Sequence, residues 1–239
     1  AKRGELEPPT EAELEACPFC EGREDRTPPE MFAIGPPSRE PDTPGWEVRV
    51  VPNLYPAFER QEVVVHTPRH ARSLAELSEQ ELGPIASTWA ARIETARGEG
   101  FPYVQVILNE GREAGASLPH SHSQLVWLRE PAPEAAAEYP QLEPSDCAMC
   151  RILEQRKALS VASADETELL AAPAGRVPYE LLIAPVKHRA DADEELLLSA
   201  LTLLRKAIVL LRECEGPTPV NAWVHPGGHW HMEIFPRLT

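Results

Sequence analysis

The chain has 239 residues, 42% of them hydrophobic, enough to bury a sizeable core in one large domain or two smaller ones. Its formal net charge of −15 opposes a polyanion, so nucleic acid is not an expected partner, although a small nucleotide can still meet a local site of opposite sign. No apolar run approaches the ~20 residues of a membrane helix, and no charged-then-apolar leader follows Ala1, so neither a membrane nor secretion is indicated and a cytoplasmic location is expected. The missing initiator Met points to a natural start upstream.

In chain order, the first signal is the pair Cys17-Pro-Phe-Cys20. The proline-rich stretch from Thr27 to Gly45 reads as one long irregular loop. Trp46 to Val51 and Glu62 to His66 read as strands. Ser73 with Glu76 has capping-box spacing, and Leu74, Leu77, Leu82, Ile85, Trp89 and Ile93 then recur at helical intervals. Pro84 lies inside that pattern, so the helix is kinked there or starts afresh nearby. Tyr103 to Leu108 is a strand, Asn109 to Ser117 a glycine-rich turn, and His120 to Leu128 a returning strand. Arg129 to Ser145 reads as a linker. Beyond it, Glu168 to Ala172 and Tyr179 to Pro185 are strands, Leu196 to Glu213 is an amphipathic helix, and Val220 to Val224 and His229 to Phe235 are strands.

A cysteine and histidine pattern occurs twice in this order. Cys17 and Cys20 precede His70 and His120; Cys147 and Cys150 precede His188 and His229. The gaps are 50 and 50 residues in the first copy and 38 and 41 in the second. A C-x2-C pair with two spaced histidines meets the needs of a tetrahedral Cys2His2 zinc site. A disulfide pair or a thioredoxin-like redox motif is the rival, but neither explains two copies with histidines downstream. Cys214 is left over, as a buried or half-buried bystander. The repetition argues for an internal duplication into units 1–130 and 131–239. The architecture is α+β, with an antiparallel sheet and one long helix per repeat.

Each copy also carries a second histidine two residues after the last ligand, His122 and His231, but Gln124 follows only the first; Glu233 takes its place in the second. Alternation puts His120, His122 and Gln124 on one strand face. A zinc ion closed by four protein ligands is structural, and it would pin the strand while His122 stays free to attack phosphorus as an oriented neutral imidazole. Gln124 can donate to a phosphate oxygen without burying a charge, and the 109–117 loop offers backbone N–H groups as a cradle. Plainer readings stand beside these. His120 and His122 can both be metal ligands, the loop only a turn, Asn53 only a turn residue, and Arg69 to Arg72 only a solvated patch.

Val104-Gln-Val-Ile-Leu-Asn-Glu-Gly111 followed by Gly115-Ala-Ser-Leu-Pro-His-Ser-His-Ser-Gln124 resembles the galactose-1-phosphate uridylyltransferase branch of the histidine-triad superfamily. Cys17-Pro-Phe-Cys20, Pro52-Asn-Leu-Tyr-Pro56 and Pro68-Arg-His70 fit the same pattern. The resemblance implies a duplicated histidine-triad fold, its sheet curved into a half-barrel. It also implies a ping-pong transfer of UMP from a UDP-hexose to a hexose 1-phosphate through a nucleotidyl adduct on His122. By match, Asn53, Asn109, Gly115, Ser117 and Gln124 hold the nucleotide, and zinc sits on Cys17, Cys20, His70 and His120. A nucleotide sugar and a sugar phosphate are the implied partners, with a homodimer as the family precedent.

Three departures qualify the match. His-Ser-His-Ser-Gln, and the second set Cys147, Cys150, His188 and His229, resemble the ADP-glucose phosphorylases with their two zinc sites. The uridylyltransferases build their second metal site differently, and His225, His231 and Glu233 are the nearest counterparts here. Family segments before Ala1 to Gly4 and after Pro236 to Thr239 are missing. The alternatives are phosphorolysis of ADP-glucose or a dinucleoside polyphosphate, and a zinc-stabilised nucleotide-binding module without turnover.

Overall fold

A computed structural model describes residues 6–238; the readings of Ala1 to Gly4 and of Thr239 as trimmed ends lie outside the described residues. The chain opens with a short helix, Glu11–Ala16 (α1), and the strands Phe32–Ile34 (β1), Val48–Pro52 (β2) and Arg60–Val65 (β3). A long helix, Glu79–Gly98 (α2), leads to Tyr103–Glu110 (β4) and His122–Leu128 (β5). Three short helices follow: Pro133–Glu138 (α3), Ala148–Glu154 (α4) and Arg156–Leu159 (α5). Ser160–Ala164 (β6), Thr167–Ala171 (β7) and Leu181–Pro185 (β8) precede the second long helix, Glu194–Glu215 (α6), and the chain closes with Val220–His225 (β9) and His231–Pro236 (β10).

The strands form one antiparallel sheet in the order β1-β2-β3-β5-β4-β9-β10-β8-β7-β6. From either edge inward the sequence of strands is the same: β1-β2-β3-β5-β4 from one side, β6-β7-β8-β10-β9 from the other. The halves meet along β4 and β9, where Ile107 pairs with Trp223 and Asn109 with Asn221.

Residue alternation explains which face is covered. On β4, Val104, Val106 and Leu108 are buried while Gln105, Ile107 and Asn109 are half-exposed; successive strand side chains point to opposite faces. The buried set joins Val48, Val64, Leu125, Trp127, Val224 and Met232 against α2 and α6 in one core drawn from both halves. α6 buries Leu197, Leu201, Leu204, Ile208 and Leu211, each such side chain contributing about 1.5–3 kcal/mol. Its start is set by Asp193, which accepts from the Leu196 N–H at 3.0 Å. The other face keeps half-exposed Gln124, Ile107, Trp223 and Glu233 in adjacent register. The α+β reading, the antiparallel sheet and one long helix per repeat stand.

Several local readings change. Ser73 accepts from the Ala75 N–H and starts only a 3-10 turn, Leu74–Glu76. The true capping box of α2 is Ser78 with Glu81, so the helix starts afresh there and Pro84 falls one turn inside it. The loop from Thr27 to Gly45 contains β1, which pairs with β2 through Phe32, Ala33 and Ile34; pairing to an existing edge overrides the proline signal. The expected linker holds α3, and β6 is an edge strand that escaped notice because Ser160–Ala164 is nearly all exposed or half-exposed. Cys214 is exposed rather than buried. His120 and His229 precede β5 and β10 rather than lying on them.

Candidate active site and metal centres

The first cysteine pair follows α1, His70 follows β3 and His120 precedes β5. Their four ligating atoms lie within 4.8 Å of one another. Cys17 Sγ is 3.3 Å from His120 Nδ1, and Cys20 Sγ is 3.4 Å from His70 Nδ1. Both far nitrogens are engaged: His120 Nε2 with the Thr67 carbonyl at 2.9 Å and His70 Nε2 with Glu13 Oε1 at 2.9 Å. The second set repeats this, with Cys147 Sγ 3.4 Å and Cys150 Sγ 3.5 Å from His229 Nδ1, Cys150 Sγ 3.7 Å from His188 Nδ1, and His229 Nε2 3.0 Å from the Pro185 carbonyl. Each set can hold a metal ion. Burial and the neighbouring Cys17 push the Cys20 thiol up to about 12, and burial with Cys147 pushes Cys150 up to about 11. Thiols of this kind ionise against a cation.

A third group joins His225, His231 and Glu233 to Glu138. Glu138 comes from α3, in the stretch the sequence marked as linker. His225 stacks on His231 with ring centres 4.6 Å apart and meets Glu138 at 3.1 Å and Glu233 at 3.4 Å. Burial opposes its charge, but the two carboxylates outweigh this and lift it to about 9; burial and His225 hold His231 down near 4.

His122 opens β5. Its Nδ1 lies 2.6 Å from the carbonyl oxygen of His120, which assigns that nitrogen the proton and leaves Nε2 its lone pair. Burial lowers its pKa, so the ring is neutral near pH 7. His120, His122, Asn109 and Ser117 line one cavity of about 700 Å³. Gly115 closes the 3-10 turn before Ser117 at φ 88°, a left-handed conformation that suits glycine. Gln124 and Asn53 do not line the cavity; they pair with each other at 3.3 Å, and Gln61 Nε2 also donates to Gln124 Oε1 at 2.5 Å.

The strand is also held from behind by a group that the sequence reading passed over. His66, fully buried, meets Ser121 Oγ at 2.9 Å through Nδ1 and Ser123 Oγ at 3.0 Å through Nε2, and Trp89 Nε1 donates to Ser123 Oγ at 2.9 Å. The two serines of His-Ser-His-Ser-Gln thus anchor the strand on its helix-facing side. Glu110 was missed too: buried at the cavity wall, it takes bonds from Ser73, the Leu74 N–H and Arg212. Only the polar His and Ser at these positions hinted at a network.

Residues 55–133 match the family model described as galactose-1-phosphate uridyl transferase, N-terminal domain. ADP-glucose phosphorylase of Arabidopsis thaliana is 27% identical over 266 aligned positions, spanning 94% of this chain and 74% of that protein. The crystal structure of an Arabidopsis ADP-glucose phosphorylase with bound ADP-glucose superposes with a TM-score of 0.80 at 26% identity, covering 98% of this chain and 83% of that one. Galactose-1-phosphate uridylyltransferase of Thermotoga maritima is 29% identical over 134 positions, which are 53% of this chain and 42% of the relative. The family model covers β5 and its His-Ser-His-Ser-Gln run, and the phosphorylase likeness runs through both halves. These likenesses support an enzyme of the nucleotidyltransferase type, similar to the galactose-1-phosphate uridylyltransferase branch of the histidine-triad superfamily and sharing features with its ADP-glucose phosphorylase-like members.

Proposed function

We propose that the chain transfers a nucleotidyl group from a nucleotide sugar through a covalent adduct on His122, with UMP passing from a UDP-hexose to a hexose 1-phosphate. The observation that carries the reading is the 2.6 Å contact between His122 Nδ1 and the His120 carbonyl, which orients Nε2 as the nucleophile. In the first step the Nε2 lone pair forms a P–N bond to the α-phosphorus, and the bond from phosphorus to the bridging oxygen breaks, the sugar 1-phosphate leaving with its electrons. Positive charge on the imidazole is eased by the Nδ1–H bond to the His120 carbonyl. In the second step an acceptor phosphate oxygen forms a P–O bond as the P–N bond breaks, restoring the neutral ring. Asn53, Asn109, Gly115, Ser117 and Gln124 are the groups we assign to the nucleotide and its phosphates, with amide and backbone donors meeting the developing charge.

The Cys2His2 sets fit zinc. A tetrahedral ion with Zn–S near 2.3 Å and Zn–N near 2.0–2.1 Å needs S···N edges of about 3.5 Å, against 3.3, 3.4 and 3.8 Å in the first set and 3.4, 3.5 and 3.7 Å in the second. Zinc on Cys17, Cys20, His70 and His120 would be closed by protein ligands and would fix the strand that bears His122. Zinc on Cys147, Cys150, His188 and His229 would do the same for the second half. We read residues 1–130 and 131–239 as copies of one unit, the first catalytic. Reduced cysteines as metal ligands suit the cytoplasm. No described helix is long and apolar enough to cross a membrane.

Phosphorolysis of ADP-glucose is the second reading, favoured by the second Cys2His2 set, Cys147, Cys150, His188 and His229, and by likeness to ADP-glucose phosphorylase over 94% of the chain. The test is intact-protein mass spectrometry after brief mixing with UDP-glucose, UDP-galactose or ADP-glucose. A uridylyl adduct on the native chain, absent in His122→Asn, supports the first reading and an adenylyl adduct the second. A metal-loaded, folded chain that forms neither refutes both.

A further inference from the structure

A side-chain amide carries donors at one end and an acceptor at the other, and its neighbours decide which end is which. In two places here the neighbours leave no choice. The Ala57 N–H donates to Gln61 at 2.8 Å, so that end of Gln61 is Oε1 and its Nε2 faces Gln124. The Tyr55 N–H donates to Asn53 Oδ1 at 2.9 Å, an Asx turn that aims Asn53 Nδ2 at the same Gln124 atom. Gln124 therefore meets two donors with Oε1. Among the described residues its NH2 has no hydrogen-bond partner, and it lies on the face that His122 shares.

Across the sheet, Arg237 Nε can only donate, and it does so to Asn221 at 2.6 Å, which makes that atom Oδ1. The Ala114 carbonyl can only accept, and it takes Asn221 Nδ2 at 2.7 Å. The same Nδ2 meets Asn109 at 2.7 Å, so the facing atom of Asn109 is Oδ1. Among the described residues the Asn109 NH2 has no partner, and it lies in the wall of the cavity that His122 lines. Asn221 is only 5% exposed and belongs to β9, in the half that lacks the nucleophile.

We infer that Gln61 and Asn221 are positioning residues of the phosphoryl site: each locks a partner amide, Gln124 or Asn109, so that it presents N–H donors and not a carbonyl to the anionic group beside His122. The inference rests on the reading that His122 is the nucleophile. The physical reason for such locks is the sign of the interaction. A flipped amide sets C=O against a phosphoryl oxygen, turning an attractive contact into a repulsive one. The second half thereby serves the first: its β9 sets the polarity of a donor on β4.

The test is a pair of double-mutant cycles on the full, metal-loaded chain. Two quantities are read: the rate of adduct formation with UDP-glucose and with ADP-glucose, and the Kd of UMP and AMP, which needs no turnover. Gln61→Ala and Gln61→Glu are crossed with Gln124→Ala, and Asn221→Ala with Asn109→Ala. Each single alanine variant is expected to weaken both readouts about tenfold in the native background and by less than about twofold once the partner amide is gone. Gln61→Glu should be worse than Gln61→Ala only while Gln124 is present, because a carboxylate draws the NH2 to itself and turns the carbonyl outward. Equal losses in both backgrounds in either cycle, or no loss in either single variant, overturn the proposal. If Asn221→Ala does not fold, Arg237→Met at the exposed end of that relay replaces it, with the same coupling at smaller size expected. His122→Asn separates the two readings. If it still forms the adduct, the nucleophile assignment fails; if it does not while the cycles are additive, only the relays fail.

Discussion

The carbonyl oxygen of His120 accepts the Nδ1 proton of His122 at 2.6 Å, while the His120 ring turns its own Nδ1 to the sulfurs of Cys17 and Cys20. One residue thus ties the candidate metal centre to the tautomer of the proposed nucleophile. Its counterpart repeats the arrangement, His231 Nδ1 lying 2.9 Å from the His229 carbonyl, but without an amide two residues on.

Loss of the first metal should therefore disable the chemistry and loss of the second should not. Cys17→Ser is expected to lose one metal equivalent and its adduct-forming activity together. Cys147→Ser is expected to lose one equivalent, lower the Tm and keep adduct formation within about threefold, since the second set lies in the other half. Metal analysis beside intact mass decides; equal loss of activity in the two variants contradicts the coupling.

The two centres should also differ in affinity. His70 has a carboxylate behind it, Glu13 at 2.9 Å. Removing such a partner typically costs about 10–100-fold in metal affinity. Glu13→Ala is expected to speed metal release to a chelator from the first set alone, with the second set's release rate as internal control.

His66→Phe keeps the bulk of the ring and deletes both serine contacts. Each buried hydroxyl left without its partner costs about 1–3 kcal/mol, so a clear drop in denaturation midpoint is expected, with slower adduct formation and unchanged metal content. Adding Ser121→Ala should recover part of the stability, while Ser123 stays in place to accept from Trp89 Nε1. Failure of any recovery would mean that the imidazole acts through packing alone.

Burial works against ionisation of Glu81, but bonds from Arg69, Ser78 and Thr67 outweigh it and hold its carboxyl near 2. Because the folded value lies below the unfolded one, the stabilisation is complete above about pH 4.5 and is lost as pH falls toward 2. Glu81→Gln should flatten that part of the stability curve while lowering stability at pH 7; an unchanged acid limb would rule the carboxylate out as its source.

His231→Ala is expected to leave the chemistry intact. Glu138 and Glu233 crowd the second site, and two carboxylates repel the phosphoryl group that the first site takes. Adduct formation by this variant should match the native rate within about twofold; abolition with metal content and fold unchanged would assign His231 a role in turnover.

Much of this was legible along the chain because it is local. The period-2 runs of β4 and β5, the helical spacing in α6, both cysteine pairs and both His-x-His runs are set within a few residues of one another. Element ends were less secure: Ser73 and Ser78 present nearly the same capping signal, and only packing selects Ser78. What tertiary structure alone decided are the contacts that depend on strand order. Glu13 reaches His70 across 57 positions, Glu138 reaches His225 across 87, and Asn221 reaches Asn109 across 112. Residue types name what each side chain can do, but partners so far apart are chosen by the register of β4 against β9 and by where α1 and α3 come to rest. Those depend on burying one core shared by both halves, a property of the whole chain and of no segment within it.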